Sequence, residues 1–298
     1  MPLNEIPKRT GTFQSYDGTS IYYEDRGSGR PIILCYGLAC LMNHWTHQIR
    51  YFSQNYRVIA FDYRGHHNSG TPTDPTELSV DALMKDIKGL VDHLELTNAS
   101  FWGHSYGVQL LLRYYDLYPE TVKNLVFING FATNPIRGMF GQLLGPDAIT
   151  KVFRAFQEGY RLAPEPLTAL WRATVMNPLS IPVAALAGGF NLSLTSIKDI
   201  EVYARGVASL DVELFMKLFE EMMEYDGTAV LEKIKVPTLI VSGSKDGVTP
   251  ASHQYAMQKK IRGSELLRVP YGSHCTQLDL PEFVNLRIEK FLNQHLYS

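Results

Sequence analysis

Phe101-Trp102-Gly103-His104-Ser105-Tyr106-Gly107 is a short apolar run that breaks on a serine held between two glycines. Downstream, Val122 to Ile128 reads as a buried strand, and Tyr106 to Tyr118 between them reads as a helix. Gly-x-Ser-x-Gly between a strand and a helix is the pattern of a nucleophile elbow. The reason is steric. So sharp a turn puts Ser105 in a strained backbone conformation, and side chains two residues to either side would collide with the neighbouring strand and helix. Gly103 and Gly107 remove those collisions and leave the hydroxyl standing at the top of the sheet.

Working outward, strand and helix patterns alternate. Thr10 to Ser15 and Ser20 to Glu24 flank Tyr16-Asp17-Gly18-Thr19, a hairpin signal. Pro31 to Cys35 and Val58 to Phe61 are continuous apolar runs of the buried, parallel-strand type. Ser79 caps a helix with apolar residues at Val80, Leu83, Met84, Ile87, Leu90, Val91 and Leu94, one face of an amphipathic helix. Beyond the elbow and the strand ending at Asn129 come strands at Thr238 to Val241 and Glu265 to Val269, a helix at Ser252 to Lys259, and a terminal helix opened by Pro281. This alternation predicts an α/β protein with a mostly parallel, doubly wound sheet of about eight strands.

The stretch 131–225 is mostly helical by pattern, as in Asp211 to Tyr225, and is punctuated by Pro146, Pro164, Pro166, Pro178 and Pro182. Inserted after strand 6, it is expected to form a helical cap over the crevice at the strand ends, where open α/β sheets bind ligands. Residues 1–130 and 226–298 then make the core domain.

Serine needs an adjacent base that is itself oriented by a third group. In this topology the partners follow in chain order, acid then histidine, in loops after later strands. Asp246 lies in the loop after Thr238 to Val241, and His274 in the loop after Glu265 to Val269. The expected roles are Ser105 as nucleophile, His274 as general base and acid, and Asp246 as the group that fixes the imidazole. The expected oxyanion donors are the backbone N–H of Tyr106 and of Leu38, the latter admitted by Gly37. Trp45, Phe131, Met139, Phe140, Met176 and Phe190 are candidates for an apolar acyl pocket, with Tyr36 at its floor. His104 is expected to hydrogen-bond below the sheet. His44, His47, His93 and His253 are expected to be partly exposed, with no role.

These landmarks resemble the α/β-hydrolase family. Gly29-Arg30-Pro31 leading to Tyr36-Gly37, Asp62-Tyr63-Arg64-Gly65-His66-His67-Asn68-Ser69, the elbow, Val236-Pro237-Thr238 to Asp246, and His274 span nearly the whole chain outside 131–225. The chain is similar to the capped group with esterases, lactonases, carbon-carbon bond hydrolases and proline iminopeptidases. Two positions depart from the family pattern: Tyr36 stands where histidine is common, and His67 where glycine is usual. Asp62 and Arg64 are expected to pair structurally.

The resemblance implies a serine hydrolase that cleaves a small, mainly apolar carboxylic ester or lactone through an acyl-enzyme on Ser105. Relatives that open epoxides use an aspartate at the elbow, which Ser105 disfavours because that chemistry needs a carboxylate. Peroxidase-like relatives and slow-turnover small-molecule receptors of this fold keep the serine. A carbon-carbon bond hydrolase would need cationic groups for an acidic substrate, such as Arg137, Arg154, Arg161, Arg172 or Arg205.

Bulk properties are those expected of an ordinary soluble globular protein. The 298 residues carry a net charge of -2 with 45% hydrophobic residues, so no basic excess suggests nucleic acid or an anionic membrane. The 3 cysteines have no Cys-x-x-Cys spacing, so neither disulfides nor a metal is expected, and no cofactor. Met1 to Phe13 does not read as a signal peptide, and Ile181 to Leu192 is too short to span a bilayer, so the expectation is cytoplasmic. Nothing in the pattern bears on oligomeric state.

Overall fold

Parallel strands buried on both faces order this molecule. The computed structural model describes residues 6–136, 138–139 and 145–295. The strands are β1 (Lys8–Gln14), β2 (Ser20–Arg26), β3 (Pro31–Cys35), β4 (Arg57–Phe61), β5 (Ala99–His104), β6 (Val122–Ile128), β7 (Thr238–Gly243) and β8 (Glu265–Val269). They form an 8-stranded sheet in the order β1-β2-β4-β3-β5-β6-β7-β8. β2 pairs antiparallel with β1 and β4, and the remaining pairings are parallel. Every residue of β5 and β7 is buried, which is what unbroken apolar runs require when helices cover both faces.

The helices are α1 (Thr46–Phe52), α2 (Val80–His93), α3 (Tyr106–Leu117), α4 (Pro146–Leu162), α5 (Pro164–Met176), α6 (Ser180–Leu186), α7 (Ile197–Ser209), α8 (Val212–Glu224), α9 (Thr228–Leu231), α10 (Ala251–Lys260), α11 (Thr276–Asp279) and α12 (Pro281–His295). Ser79 starts α2 by accepting the Ala82 N–H at 3.3 Å. The helix then buries Val80, Leu83, Met84, Ile87, Leu90 and Val91 on one face.

Asp86 shares that buried face and corrects one expectation. Arg64 pairs with Asp86 through two bonds of 2.6 Å and with Asp17 at 2.9 Å, not with Asp62. Arg64 points between the β1–β2 hairpin and α2, where two carboxylates converge. Asp62 faces the following turn and accepts from the Asn68 N–H and Nδ2 at 3.2 and 2.9 Å. Burial raises the Asp86 carboxyl above its usual range, against the lowering effect of the bonds from Arg64 and Ser15.

α4 to α8 lie between β6 and β7. Pro146 and Pro164 open α4 and α5 at the first helical turn, where a missing N–H costs nothing. α8 starts on Asp211, which accepts the Leu214 N–H at 2.9 Å, and sends Leu214, Leu218 and Met222 into the main core. α5 and α6 bury no residue. Phe190 and Ile200 form a small separate cluster with Cys275 and Leu278. No helix among the described residues is long and apolar enough to cross a membrane.

Candidate active site

From β3 the chain passes to β4 on one side, then returns to place β5 on the other side of β3. The carboxyl ends of strands on either side of such a reversal frame a crevice. Ser105 stands there, between β5 and α3, with φ 54° and ψ -120°. A Cβ at Gly103 would fall 2.8 Å from the Gly107 backbone, and one at Gly107 2.3 Å from the Cys35 carbonyl oxygen. Side chains at either position would push the strand and helix apart, so the strained turn depends on both glycines.

Loops after β7 and β8 bring two further side chains to the serine. His274 Nε2 lies 3.0 Å from Ser105 Oγ, and His274 Nδ1 lies 3.0 Å from Asp246 Oδ2. The carboxylate only accepts, so Nδ1 carries the hydrogen and Nε2 turns its lone pair to the hydroxyl. Asp246 Oδ1 also accepts the Val248 and Thr249 N–H groups at 2.9 and 2.8 Å. These bonds fix the carboxylate before any substrate arrives.

A second set of residues, not singled out from sequence, ties the loops together. Asn129 at the end of β6 adopts φ 46°. Its Nδ2 donates to the Ser273 and His274 carbonyls at 2.7 Å each, and its Oδ1 accepts the Gly243 N–H at 2.8 Å. Thr249 Oγ1 lies 2.8 Å from Asp246 Oδ2 and 3.1 Å from His274 Nδ1. The insertion joins in: the His274 N–H donates to the Gly188 carbonyl at 2.9 Å. Asparagine after a strand, next to glycine, was the only signal in the sequence, and it reads equally as a plain turn.

The loop after β3 approaches from the other side. A Cβ on Gly37 would sit 3.2 Å from Ser105 Cβ, so backbone alone fits there. Tyr63 donates its hydroxyl to the Tyr36 carbonyl at 2.8 Å, and the Tyr36 hydroxyl accepts the Tyr63 N–H at 3.0 Å. Tyr36 is therefore fully buried beneath the loop, its ring 4.2 Å from that of Tyr63, and does not line the cavity. At the other departure from the family pattern, His67 adopts φ 46°, the left-handed region where glycine is favoured. Its Nε2 bonds the Cys40 carbonyl at 3.0 Å.

A cavity of about 670 Å³ opens on Ser105 and His274. Gly37 and Leu38 line it from the loop after β3, Phe131 from the chain just after β6, and Thr174, Val183, Phe215, Phe219 and Met222 from the helices between β6 and β7. Met139 and Phe190 also line it. No Asp, Glu, Lys or Arg stands among its described lining residues. Arg154, Arg161, Arg172 and Arg205 are exposed on the insertion, and Arg137 lies outside the described residues.

Two other pocket candidates lie elsewhere. Trp45 is fully buried beside Trp102 and His104. Met176 is 49% exposed, because Thr174 and Asn177 carry the cavity-facing side of that helix end and a residue two places on points the opposite way. Phe140 falls outside the described residues. His44, expected to be partly exposed, is buried and stacked on His104 with ring centres 4.6 Å apart.

The family model described as alpha/beta hydrolase fold matches residues 30–177. The chain belongs to the α/β-hydrolase fold family. 3-Oxoadipate enol-lactonase 2 of Acinetobacter baylyi is 26% identical over 273 residues, spanning 89% of this chain and 90% of the lactonase. Epoxide hydrolase 1 of Caenorhabditis elegans is 25% identical over 287 residues, spanning 92% of this chain and 68% of that protein. The esterase EaEST of Exiguobacterium antarcticum superimposes with a TM-score of 0.72 at 22% identity, over 95% of this chain and 98% of that one. That last likeness is one of fold.

Proposed function

We propose that the protein is a serine hydrolase of uncharged carboxylic esters or lactones with an apolar acyl part. The observation that carries this reading is the continuous Ser105–His274–Asp246 chain of 3.0 Å contacts at the mouth of a cavity with no Asp, Glu, Lys or Arg among its described lining residues. Ser105 Oγ attacks the carbonyl carbon as its proton passes to His274 Nε2. The backbone N–H groups of Leu38 and Tyr106 receive the tetrahedral oxyanion, Tyr106 from the positive end of α3. Asp246 holds the Nδ1–H and stabilises the imidazolium. Collapse expels the alcohol, which takes the proton from His274, and water then releases the acid by the same steps reversed.

Residues 131–225 act as the cap in this reading and residues 1–130 and 226–298 as the catalytic core. Ser105 at the elbow argues against epoxide opening, which needs a carboxylate nucleophile. The exposed positions of the described inserted arginines argue against an acidic diketone substrate.

The test is a panel of acyl esters and lactones graded in chain length, run with Ser105→Ala. Turnover of apolar acyl esters by the parent, with a loss on the order of 10,000-fold or more in the variant, supports the reading. Full activity in Ser105→Ala would put the nucleophile elsewhere.

A further inference from the structure

Behind the serine lies a corner that the proposed reaction does not use. Cys40, His44 and His104 are buried there, at 1%, 3% and 1% exposure. Each offers one ligand atom, and these atoms lie within 4.8 Å of one another. Cys40 and His44 come from the turn after β3, and His104 ends β5.

The hydrogen-bond pattern around the imidazoles is unusual. His104 Nε2 lies 2.9 Å from the His274 carbonyl oxygen. A carbonyl only accepts, so Nε2 carries the hydrogen and Nδ1 presents a bare lone pair. Neither His104 Nδ1 nor His44 Nε2 has a hydrogen-bond partner among the described residues. A Cβ built on Gly37 would lie 3.1 Å from Cys40 Sγ and 3.3 Å from His104 Nδ1, so sulfur and nitrogen border the same small space. An imidazole whose second nitrogen donates to a backbone carbonyl is the usual arrangement of a metal-ligating histidine. The buried lone pair of His104 Nδ1, with the unpartnered His44 Nε2 beside it, calls for something that takes lone pairs.

We propose that Cys40, His44 and His104 form a metal site for a divalent cation of the zinc type, held by one thiolate and two imidazoles. That donor set suits zinc, whose bonds run at about 2.3 Å to sulfur and about 2.0–2.1 Å to nitrogen. From a spread of up to 4.8 Å, the ligand atoms must draw in by roughly 1 Å to meet such bond lengths. Coordination releases the Cys40 thiol proton to solvent as the sulfur–metal bond forms. An entry path exists, since Cys40 and His104 lie on the wall of the catalytic cavity and His44 lines a neighbouring one of about 220 Å³. The Cys40 N–H bonds the Gly37 carbonyl at 3.1 Å, so a bound ion would clamp the turn after β3 to the elbow.

Cobalt is the probe. Full-length protein freed of metal by a chelator and desalted is titrated with Co²⁺, then with Zn²⁺ against a chromophoric chelator. One equivalent per chain, a thiolate-to-cobalt charge-transfer band and its displacement by zinc are expected. Cys40→Ser should abolish the band, and His44→Gln should weaken zinc binding at least tenfold. A spectrum without the sulfur band, or equal binding by all three proteins, would overturn the site and assign the ion to a surface pair such as His47–Asp199. Should a variant fail to fold, zinc-edge X-ray absorption of the wild-type protein loaded with one equivalent of zinc decides: one sulfur beside imidazole nitrogens around the ion supports the site, and a shell without sulfur overturns it.

Discussion

Every residue of β5 and β7 is buried, whereas α5 and α6, between β6 and β7 in the chain, bury none. The strand ends carry a web of short polar contacts, in which Asn129 and Thr249 tie the end of β6 to the ends of β7 and β8. The outer inserted helices instead show Leu162, Val183 and Leu186 to solvent at 88%, 64% and 90% exposure. The contrast separates two demands on one cavity. Proton transfer tolerates little misplacement, and the groups proposed for it sit where packing and hydrogen bonds leave little freedom. In the proposed reaction the substrate would meet apolar side chains on helices with few buried contacts, which can change without unfolding the sheet.

The sharpest test of this division is Asp246→Asn. It keeps the shape of the side chain while favouring the wrong imidazole tautomer, and kcat should fall on the order of 10,000-fold. Circular dichroism and thermal unfolding should change little; a variant that keeps its activity would remove Asp246 from the mechanism.

Asn129→Ala attacks the web rather than the chemistry. Freed loops should lower kcat by roughly 100-fold through misplacement of His274. The carbonyls and N–H left without partners should cost about 1–3 kcal/mol in denaturant unfolding. A normal kcat with lowered stability would make Asn129 merely structural.

Acid should expose the same asymmetry. Burial lowers the His66 imidazole to about 4, within a shell of Tyr36, Tyr63 and His67 rings and the Arg64 carbonyl. The folded chain thus holds His66 neutral, while the unfolded chain takes up the proton below about 6.5. Stability is therefore complete above that pH and is lost as pH falls from about 6.5 towards 4, by up to about 1.4 kcal/mol per pH unit from this group. His66→Asn retains a donor for the Arg64 carbonyl and should flatten the slope of stability against pH by about one proton. An unchanged slope would rule the residue out.

The smallest effects belong to the outer helices. Val183→Trp narrows the cavity and should shift preference towards shorter acyl chains by roughly tenfold, a size typical of apolar pockets. Leu186→Ser, on the outer surface, should alter neither selectivity nor stability by more than about 0.5 kcal/mol. A large stability loss in either would contradict the division drawn here.

Local rules explain why the strand pattern and the elbow could be read directly. Runs such as Pro31 to Cys35 have no exposed face to accommodate, and Gly103 and Gly107 answer a collision between neighbours in sequence. Asp246 and His274 were legible because the topology places acid and histidine in particular loops. Tyr36 and Trp45 were misplaced because an aromatic side chain looks the same whether it fills a core or a pocket, and its direction depends on Tyr63 and Trp102. Arg64 was matched with the neighbouring Asp62 because its partners Asp17 and Asp86 belong to a hairpin and a helix brought together only by folding.

By itself, then, the sequence determined an α/β sheet, a strained serine turn and an insertion after the sixth strand, because periodicity and steric exclusion act over a few residues. Only the tertiary structure decided the contact from serine to imidazole to carboxylate, the largely apolar lining of the cavity among the described residues and the Cys40–His44–His104 corner. Each of these depends on groups from separate strand ends meeting within a few ångströms, and a distance of that kind is a property of the packed sheet.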